Sequence, residues 1–308
     1  MLIDRIKMDY NNYGLRFIFM FLTRGPWGKW LPDKLFLKLR YFAVFGKKLD
    51  LKNPKTFNEK LQWLKLNNHN SQQIALVDKY EVKKIVEKSI GSEYIIPTIG
   101  VWNKFEDIDI DRLPNQFVLK CTHDSGGLVI CTDKKNLNLE KTRQKITASL
   151  KNNFFYTGRE WPYKYIKPRI IAEQYLNNNG RPIDDYKLHC FNGKVKFILV
   201  CKDRYSERGL TEDFYDIEWK HLSVRRVGHP NSREVIQRPA SLDKMIELAE
   251  KLAFSMPFVR VDFYEVEGNV FFGEETFYPA SGFEKFIPSS FDSIAGKWIE
   301  INEEIFNG

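Results

Sequence analysis

The segment 259–276 constrains the fold more than any other part of the chain, because it predicts a β-hairpin that carries charges. Apolar residues alternate with other residues in its two arms, 259–263 and 270–272, as they do in strands with one buried face. Between the arms, Glu267-Gly268-Asn269 favours a tight turn. The segment therefore predicts two adjacent antiparallel strands.

Charged residues interrupt this hairpin. Asp262 and Glu274 are predicted to lie side by side, and Arg260 points to the same face as Asp262 because it precedes it by one strand repeat. Buried strands rarely hold such groups unless they pair with each other or with a ligand. An acid pair beside a cation suits Mg²⁺–nucleotide chemistry, whereas a simple Arg260–Asp262 salt bridge is the alternative. Alternation puts Glu275 on the opposite face, and a bulge would exchange the two glutamates.

Composition predicts an ordinary globular protein with room for two domains. The chain has 308 residues, of which 43% are hydrophobic and 29% charged. Its four cysteines lie in apolar runs without CxxC spacing, at Cys121, Cys131, Cys190 and Cys201. They predict buried free thiols in a reducing cytosol rather than disulfides or a zinc site.

The first 48 residues form a basic, aromatic leader. It holds ten lysines and arginines against three acids, in a chain of net charge +8. The bases are Arg5, Lys7, Arg16, Arg24, Lys29, Lys34, Lys38, Arg40, Lys47 and Lys48, and the acids are Asp4, Asp9 and Asp33. The apolar runs are too short for a membrane-spanning helix. The leader fits a secretory signal poorly, because no small-residue cleavage site follows its apolar stretch. Nucleic-acid binding is disfavoured, because no RNA- or DNA-binding motif accompanies the charge. The leader either packs on the main body or lies on an anionic membrane surface.

Helical spacing predicts several helices. Thr56 and Glu59 form a capping box that begins a helix ending near Leu66. A second helix is predicted over 72–89, with Asp78-Lys79 as a solvated pair within it. Further predicted elements are a short strand over 94–97 and helices over 139–150 and 241–254.

A strand, a glycine loop and a second strand are predicted over 116–131. Lys120 lies unusually within the first apolar strand, and Ser125-Gly126-Gly127 lies in the loop. The loop is either a plain turn or a phosphate-binding loop, since glycine lets backbone amides approach phosphate oxygens. Further strands are predicted over 168–176, 184–191 and 194–200, and the irregular segment 203–240 is predicted to be a substrate loop or a long connection.

Taken in order, these motifs resemble the ATP-grasp superfamily, and in particular its branch named for the teichuronopeptide biosynthesis protein TupA. The resemblance runs from about Lys52 to Ile299. It rests on the motifs Asn53-Pro54-Lys55-Thr56-Phe57-Asn58-Glu59-Lys60-Leu61, Asp78-Lys79-Tyr80, Phe117-Val118-Leu119-Lys120-Cys121, Asp185-Tyr186-Lys187, Arg260-Val261-Asp262 and Gly273-Glu274-Glu275-Thr276-Phe277. It implies an α+β ATP-grasp fold in which two α+β lobes clamp ATP, preceded by the basic helical extension.

The resemblance also implies roles for individual residues. Lys120 would contact the α- and β-phosphates, and Ser125, Gly126 and Gly127 would close over the phosphates. Lys187 would contact a phosphate, and Arg260 would stabilise the transferring phosphoryl group. The remaining implied residues are Glu173, Tyr175 and Leu176 for adenine, Asp185 for ribose or a neighbouring lysine, and Asp262 and Glu274 for Mg²⁺.

One departure concerns the end of the metal-binding strand. Many members of the superfamily carry Glu-x-Asn there, and this chain has Thr276 in place of the Asn, so that a hydroxyl would complete the metal ligands. Downstream, Pro279-Ala280-Ser281-Gly282 resembles the substrate loop of D-alanine:D-alanine ligase and its relatives.

The implied function is an ATP-dependent carboxylate–amine ligase that acts through an acylphosphate. Its substrates would be an amine, such as an amino acid, and a carboxylate of a bacterial capsular or surface polysaccharide, joined in the cytoplasm or at the cytoplasmic membrane face. A glycosyltransferase of polysaccharide biosynthesis and a catalytically dead ATP-binding protein are the alternatives. The predicted divisions are the extension (1–50), a helical region (51–112), a lobe with the lysine strand (113–178) and a lobe with the metal site (179–308).

Overall fold

The computed structural model describes residues 10–204 and 209–301. Four charges of the basic leader, those of Asp4, Arg5, Lys7 and Asp9, lie outside the described residues. The chain divides into two compact units. The first comprises Met1–His69, Phe155–Trp161 and Tyr278–Gly308, and the second comprises Asn70–Phe154 and Pro162–Phe277. Among the described residues, no helix has both the length and the apolar character needed to cross a membrane.

Helices and strands are both present, as an α+β fold requires. In chain order, the helices of the described residues are α1 (Phe17–Arg24), α2 (Asp33–Phe45), α3 (Phe57–Asn67), α4 (Gln72–Val77), α5 (Glu81–Ile90), α6 (Leu139–Leu150), α7 (Phe155–Gly158), α8 (Leu242–Leu252) and α9 (Ser290–Trp298). The strands are β1 (Thr98–Trp102), β2 (Phe117–Cys121), β3 (Leu128–Cys131), β4 (Ile170–Gln174), β5 (Asp185–Phe191), β6 (Lys194–Lys202), β7 (Thr211–Tyr215), β8 (Arg225–Arg226), β9 (Phe258–Val266), β10 (Asn269–Thr276) and β11 (Phe286–Ile287).

The first unit is largely helical where it is described. The predicted capping box is present: Thr56 Oγ1 accepts a hydrogen bond from the Glu59 amide, and the Glu59 carboxylate accepts one from the Thr56 amide at 3.0 Å. The leader forms α1 and α2, and Phe36 and Tyr41 of α2 are buried in the core of this unit. The described part of the leader is therefore helical, as predicted.

The second unit contains two antiparallel sheets. The first sheet has the strand order β1-β4-β2-β3, and the second has the order β10-β9-β5-β6-β7. Ile146 of α6 packs on Phe117 and Leu119 of the first sheet, and α8 packs on β5, β6 and β9 of the second. The predicted hairpin is β9–β10, in which Glu274 lies opposite Asp262. The four cysteines are buried and free, as predicted.

The predicted helix over 72–89 is wrong, because Asp78 divides it into α4 and α5. The Asp78 carboxylate accepts hydrogen bonds from the amides of Tyr80 (2.9 Å) and Glu81 (3.2 Å), and these bonds begin α5 at a new angle. It also binds the guanidinium of Arg169 at 2.8 Å. Asp78 is therefore a buried helix-capping residue and not one half of a solvated pair.

Two other predicted segments also differ. The strand predicted over 94–97 is wrong, because Ser92–Tyr94 form a 3₁₀ helix, and strand β1 begins at Thr98. The irregular segment 203–240 contains β7, which pairs with β6. Its strand pattern is masked by two buried acids, Glu212 and Asp213, whose carboxylates lie 3.2 Å from the guanidinium of Arg226 and 3.0 Å from the imidazole of His221.

Candidate active site

The second unit contains a cleft of about 710 Å³, a volume that suits a small-molecule ligand. Both of its sheets contribute to the lining. Apolar groups from the first sheet, from the segment before β1 and from the segment after β4 form one part of it: Ile96, Val118, Leu128, Ile130, Tyr175, Leu176 and Ile183. The charged residues of the lining are Lys79, Lys120, Asp124, Glu173, Arg181, Asp185, Lys187, Arg204, Asp262 and Glu274.

In the first sheet, one buried acid holds two lysines. Alternation along β2 and β4 places Lys120 and Glu173 on the cleft side, and Glu173 binds Lys120 at 2.5 Å and Lys83 of α5 at 2.6 Å. Burial raises the pKa of the Glu173 carboxyl, but the two ammonium groups outweigh burial and lower it below its ordinary value. The side chain of Glu173 is therefore engaged with Lys120 and Lys83. Only the backbone of Glu173 is available to contact a ligand.

The glycine loop is anchored at one end. Asp124 accepts a hydrogen bond from the Gly127 amide at 3.0 Å and a short one from the Ser149 hydroxyl. A side chain at Gly127 would clash, because its Cβ would lie 2.7 Å from the Cys121 sulfur. Ser125 and Gly126, between these fixed points, are exposed. The loop thus has a fixed base and a free tip, as expected of a loop that closes over a ligand.

Lys79 is a residue of the cleft that sequence reasoning missed. The break between α4 and α5 turns it toward the cleft, where its ammonium donates a short hydrogen bond to the Asp124 carbonyl at the base of the glycine loop. The pattern Asp78-Lys79-Tyr80-Glu81 carries the signal, since an acid followed three residues later by Glu is typical of a helix start.

The second sheet brings together the charged residues predicted on β5 and β9. Arg260 binds both oxygens of Asp262, at 2.6 and 2.7 Å. Lys187 lies opposite Asp262 in the register of β5 and β9 and makes a short ion pair with it. Lys187 also binds Asp185 at 2.6 Å. Burial lowers the pKa of Lys187, but the two acids raise it above its ordinary value, so this buried lysine is charged.

A bulge at Gly273 decides which of two adjacent glutamates faces the cleft. A bulge was expected to bring Glu275 beside Asp262, and this expectation is wrong: the bulge shifts the register of β10 so that Glu274 lies opposite Asp262, within 3.0 Å of Arg260. Burial raises the pKa of the Glu274 carboxyl, but Lys79, Arg260 and neighbouring lysines lower it to about 2. Glu275 points to the opposite, apolar face, and its carboxylate has no hydrogen-bond partner among the residues that the structure describes. Burial raises its pKa to about 8.

The predicted site residues are therefore close together, although they do not all line the cleft. The lining includes Lys120, Ser125, Gly127, Glu173, Tyr175, Leu176, Asp185, Lys187, Asp262 and Glu274. Gly126 lies at the exposed tip of the loop, and Arg260 and Thr276 lie behind the acids. Lys79 in the lining and Lys83 behind Lys120 are the residues that were not predicted.

The donor atoms suit Mg²⁺, which prefers carboxylate and hydroxyl oxygens. Asp262 and the half-exposed Glu274 face the cleft side by side, and Thr276 Oγ1 lies 3.3 Å from the Glu274 carboxylate. Within 10–204 and 209–301, no cluster of three or more His, Cys, Asp or Glu forms a metal site by itself. The two carboxylates fit an ion that takes its remaining ligands from phosphate and water oxygens.

A lysine strand, a glycine loop and an acid pair on adjacent strands lie around one cleft, and these are the features on which the sequence resemblance rests. The family model of the TupA-like ATP-grasp proteins matches residues 59–300. The chain belongs to this TupA-like ATP-grasp family. Membership confirms the family and the α+β ATP-grasp fold predicted from sequence.

Solved structures that resemble the chain are distant. D-alanine–D-alanine ligase of Bacillus anthracis, complexed with ATP, is 20% identical over 66% of this chain and 55% of its own, with a TM-score of 0.38. The ligase of the same name from Helicobacter pylori is 12% identical over 80% and 70%, with a TM-score of 0.42. Biotin carboxylase of Campylobacter jejuni is 14% identical over 71% and 46%, with a TM-score of 0.41. The chain thus spans little more than half of the first of these proteins, and no curated protein matches it.

Proposed function

We propose that the protein joins an amine to a carboxylate at the expense of ATP, through an acylphosphate, and that the carboxylate belongs to a bacterial capsular or surface polysaccharide or its precursor. The observation that carries this proposal is the cleft that places Lys79, Lys120 and Lys187 around the acids Asp262 and Glu274. The polymer substrate follows from the resemblance to the TupA branch. The amine is proposed to be an amino acid, and the reaction to take place in the cytoplasm or at the cytoplasmic membrane face.

Each charged group has a proposed role in this reaction. Lys79 and Lys120 bind phosphate oxygens beneath the tip of the glycine loop, Ser125-Gly126, and the apolar part of the cleft takes the base. Lys187 orients the phosphate nearest Asp262. Asp262, Glu274 and Thr276 hold Mg²⁺, which neutralises charge on the transferred phosphoryl group when bound.

Arg260 is proposed to act mainly by holding the acids. Its guanidinium binds Asp262, Glu274 and Thr276, so it fixes the position of all three proposed metal ligands. The enzyme needs no nucleophilic side chain, because the substrate carboxylate attacks the γ-phosphate and the amine then displaces phosphate. The protein contributes positioning and charge stabilisation.

Isothermal titration with a non-hydrolysable ATP analogue and Mg²⁺ tests the binding half of the proposal. We expect Mg-dependent binding that weakens about 10²-fold in Lys120→Ala and loses its dependence on Mg²⁺ in Asp262→Asn. Binding of a UDP-sugar in place of the ATP analogue would instead support the glycosyltransferase alternative.

Acylphosphate formation tests the chemical half. With Mg-ATP and an oligosaccharide that contains a uronate, we expect ADP release, and hydroxylamine should trap the activated carboxyl group as a hydroxamate. Absence of ADP release across a panel of uronate acceptors and amines would falsify the proposed substrates. It would leave the nucleotide site intact if the analogue still binds.

A further inference from the structure

Part of the leader exposes apolar side chains to solvent. Leu15, Ile18 and Leu22 recur at helical spacing along the start of the leader and α1, and all three are exposed. Met20 and Thr23, on the other side of α1, are buried within the first unit. The described helix is therefore anchored by one face and leaves an apolar stripe uncovered.

The turn that follows α1 extends this apolar surface with two tryptophans. Pro26–Trp30 is a 3₁₀ helix, in which residues three apart point the same way, and Trp27 and Trp30 are 67% and 87% exposed. So much exposed aromatic area costs solvation free energy unless something covers it.

The exposed tryptophans are held rigidly. The buried guanidinium of Arg159 donates hydrogen bonds to the carbonyls of Gly28 at 2.7 Å and Leu31 at 2.9 Å. Gly28 itself packs against the end of α1, where a Cβ would lie 2.5 Å from the carbonyl oxygen of Thr23. The turn is therefore a fixed part of the first unit, and its indole rings are presented to solvent by the fold.

Among the described residues of the leader, 10–48, the exposed charges are mainly positive. The exposed bases of the described leader are Arg24, Lys29, Lys34, Lys38, Lys47 and Lys48. Asp33 is the one acid in the sequence 10–48, and it binds Arg159 Nε at 3.0 Å, so its charge is matched within the protein. An excess of positive charge thus surrounds the exposed apolar side chains.

We propose that this leader surface, formed by residues 15–38, docks on an anionic lipid membrane. Tryptophan favours the boundary between lipid headgroups and acyl chains, amphipathic helices bury their apolar face there, and lysines near the surface are attracted to anionic lipids. A binding partner made of protein would need acids to match the bases, whereas an anionic membrane supplies both the charge and the apolar layer. The inference goes beyond the proposed reaction, since it requires neither ATP nor an acceptor.

Vesicle sedimentation with the full chain tests this docking. Phosphatidylcholine vesicles with and without phosphatidylglycerol are compared at low and high salt. We expect binding only to the anionic vesicles, weakened by salt. Lys29→Gln and Lys34→Gln should each weaken it about fivefold, and the Trp27→Ser/Trp30→Ser double variant about tenfold or more.

Matched controls come from the second unit. Phe254→Ser removes an aromatic ring that is 78% exposed, and Lys141→Gln/Lys145→Gln removes two exposed lysines. We expect vesicle binding to be unchanged in both controls, and binding of the ATP analogue to be unchanged in every variant, which shows that each is folded.

Three outcomes would overturn the proposal. The first is equal binding to neutral and anionic vesicles. The second is a dimer of the protein without vesicles in analytical ultracentrifugation, with the Trp27→Ser/Trp30→Ser variant a monomer. The surface would then bind a second copy of the chain. The third is binding of soluble uronate polysaccharide in the absence of any binding to anionic vesicles.

Discussion

The two sheets of the second unit hold their buried charges in different proportions. In the first sheet one acid, Glu173, is shared by the two cations Lys120 and Lys83. In the second, the three acids Asp185, Asp262 and Glu274 bind the three cations Lys187, Arg204 and Arg260. Buried charges need partners, so the lysine side, which has more cations than acids, is suited to phosphate oxygens from solution. The acid side is balanced, and its carboxylate oxygens on Asp262 and Glu274 suit a metal ion.

The largest expected effect comes from removing charge on the acid side. Asp262→Asn should lower turnover by about 10²- to 10³-fold, because it removes a metal ligand and leaves Arg260 and Lys187 with a weaker partner. It should also destabilise the fold by about 3 kcal/mol. Turnover with saturating Mg-ATP and the melting temperature measure the two effects.

Asp213→Asn is the matched control for that variant, since Asp213 is a buried acid on β7 that lies outside the cleft lining. It should lower the melting temperature while leaving turnover nearly unchanged. Equal losses of turnover in the two variants would mean that stability alone explains the effect of Asp262→Asn.

On the lysine side, the two lysines that bind Glu173 should contribute unequally to ATP binding. Lys120→Ala should weaken ATP binding by about 10²-fold, because Lys120 lines the cleft. Lys83→Ala removes the other partner of the same acid, yet Lys83 lies behind the cleft, so binding should weaken by less than about tenfold. Titration with the ATP analogue measures both. Similar losses in the two variants would contradict a direct phosphate contact by Lys120.

Lys79 binds the base of the glycine loop and also acts on the charge of Glu274. Its loss should affect ATP use less than the loss of Lys120. Lys79→Ala should raise KM for ATP by about tenfold, since one phosphate contact and one anchor of the glycine loop disappear. Lys79 is also the foremost of the cations that lower the pKa of Glu274. Without it that pKa rises, so the acid limb of the pH–rate profile should move to higher pH. If the acid limb stays at the same pH, Lys79 does not set the pKa of Glu274 in the active enzyme.

The smallest effect on turnover is expected from Glu275, which lies next to Glu274 but faces the apolar side. Its pKa in the folded state, about 8, exceeds the ordinary value of 4.5. Its contribution to stability is therefore full below about pH 4.5 and is lost as pH rises toward about 8, by at most about 5 kcal/mol. Glu275→Gln should remove this pH dependence. Urea unfolding at several pH values measures how the free energy of unfolding depends on pH. The same pH dependence in Glu275→Gln would assign it to another group.

Much of this arrangement could be predicted from local patterns. The hairpin of β9 and β10, the lysine strand β2 and helix α6 were found because each depends on the order of residues within one short segment. Strand alternation within the hairpin also predicted that Arg260 and Asp262 share one face. These predictions needed no knowledge of distant contacts.

What local patterns missed depends on contacts between distant residues. Asp78 ends α4 partly because Arg169, 91 residues later, binds its carboxylate. Lys83 reaches the cleft acids only because α5 lies near β4. Strand β7 was hidden because its buried acids bind side chains further along the chain, His221 and Arg226. Sequence spacing contains no record of such pairs.

The bulge at Gly273 makes the number of residues in the hairpin as important as their identity. With plain alternation, Glu274 would share a face with the buried Phe272, and the extra residue turns it to the face of Asp262. Deleting one residue between the turn and Glu274 would therefore send a carboxylate into the apolar layer and remove it from the metal side. A substitution in this hairpin changes one side chain, whereas the insertion or deletion of a single residue changes the face of every side chain between it and the next irregularity.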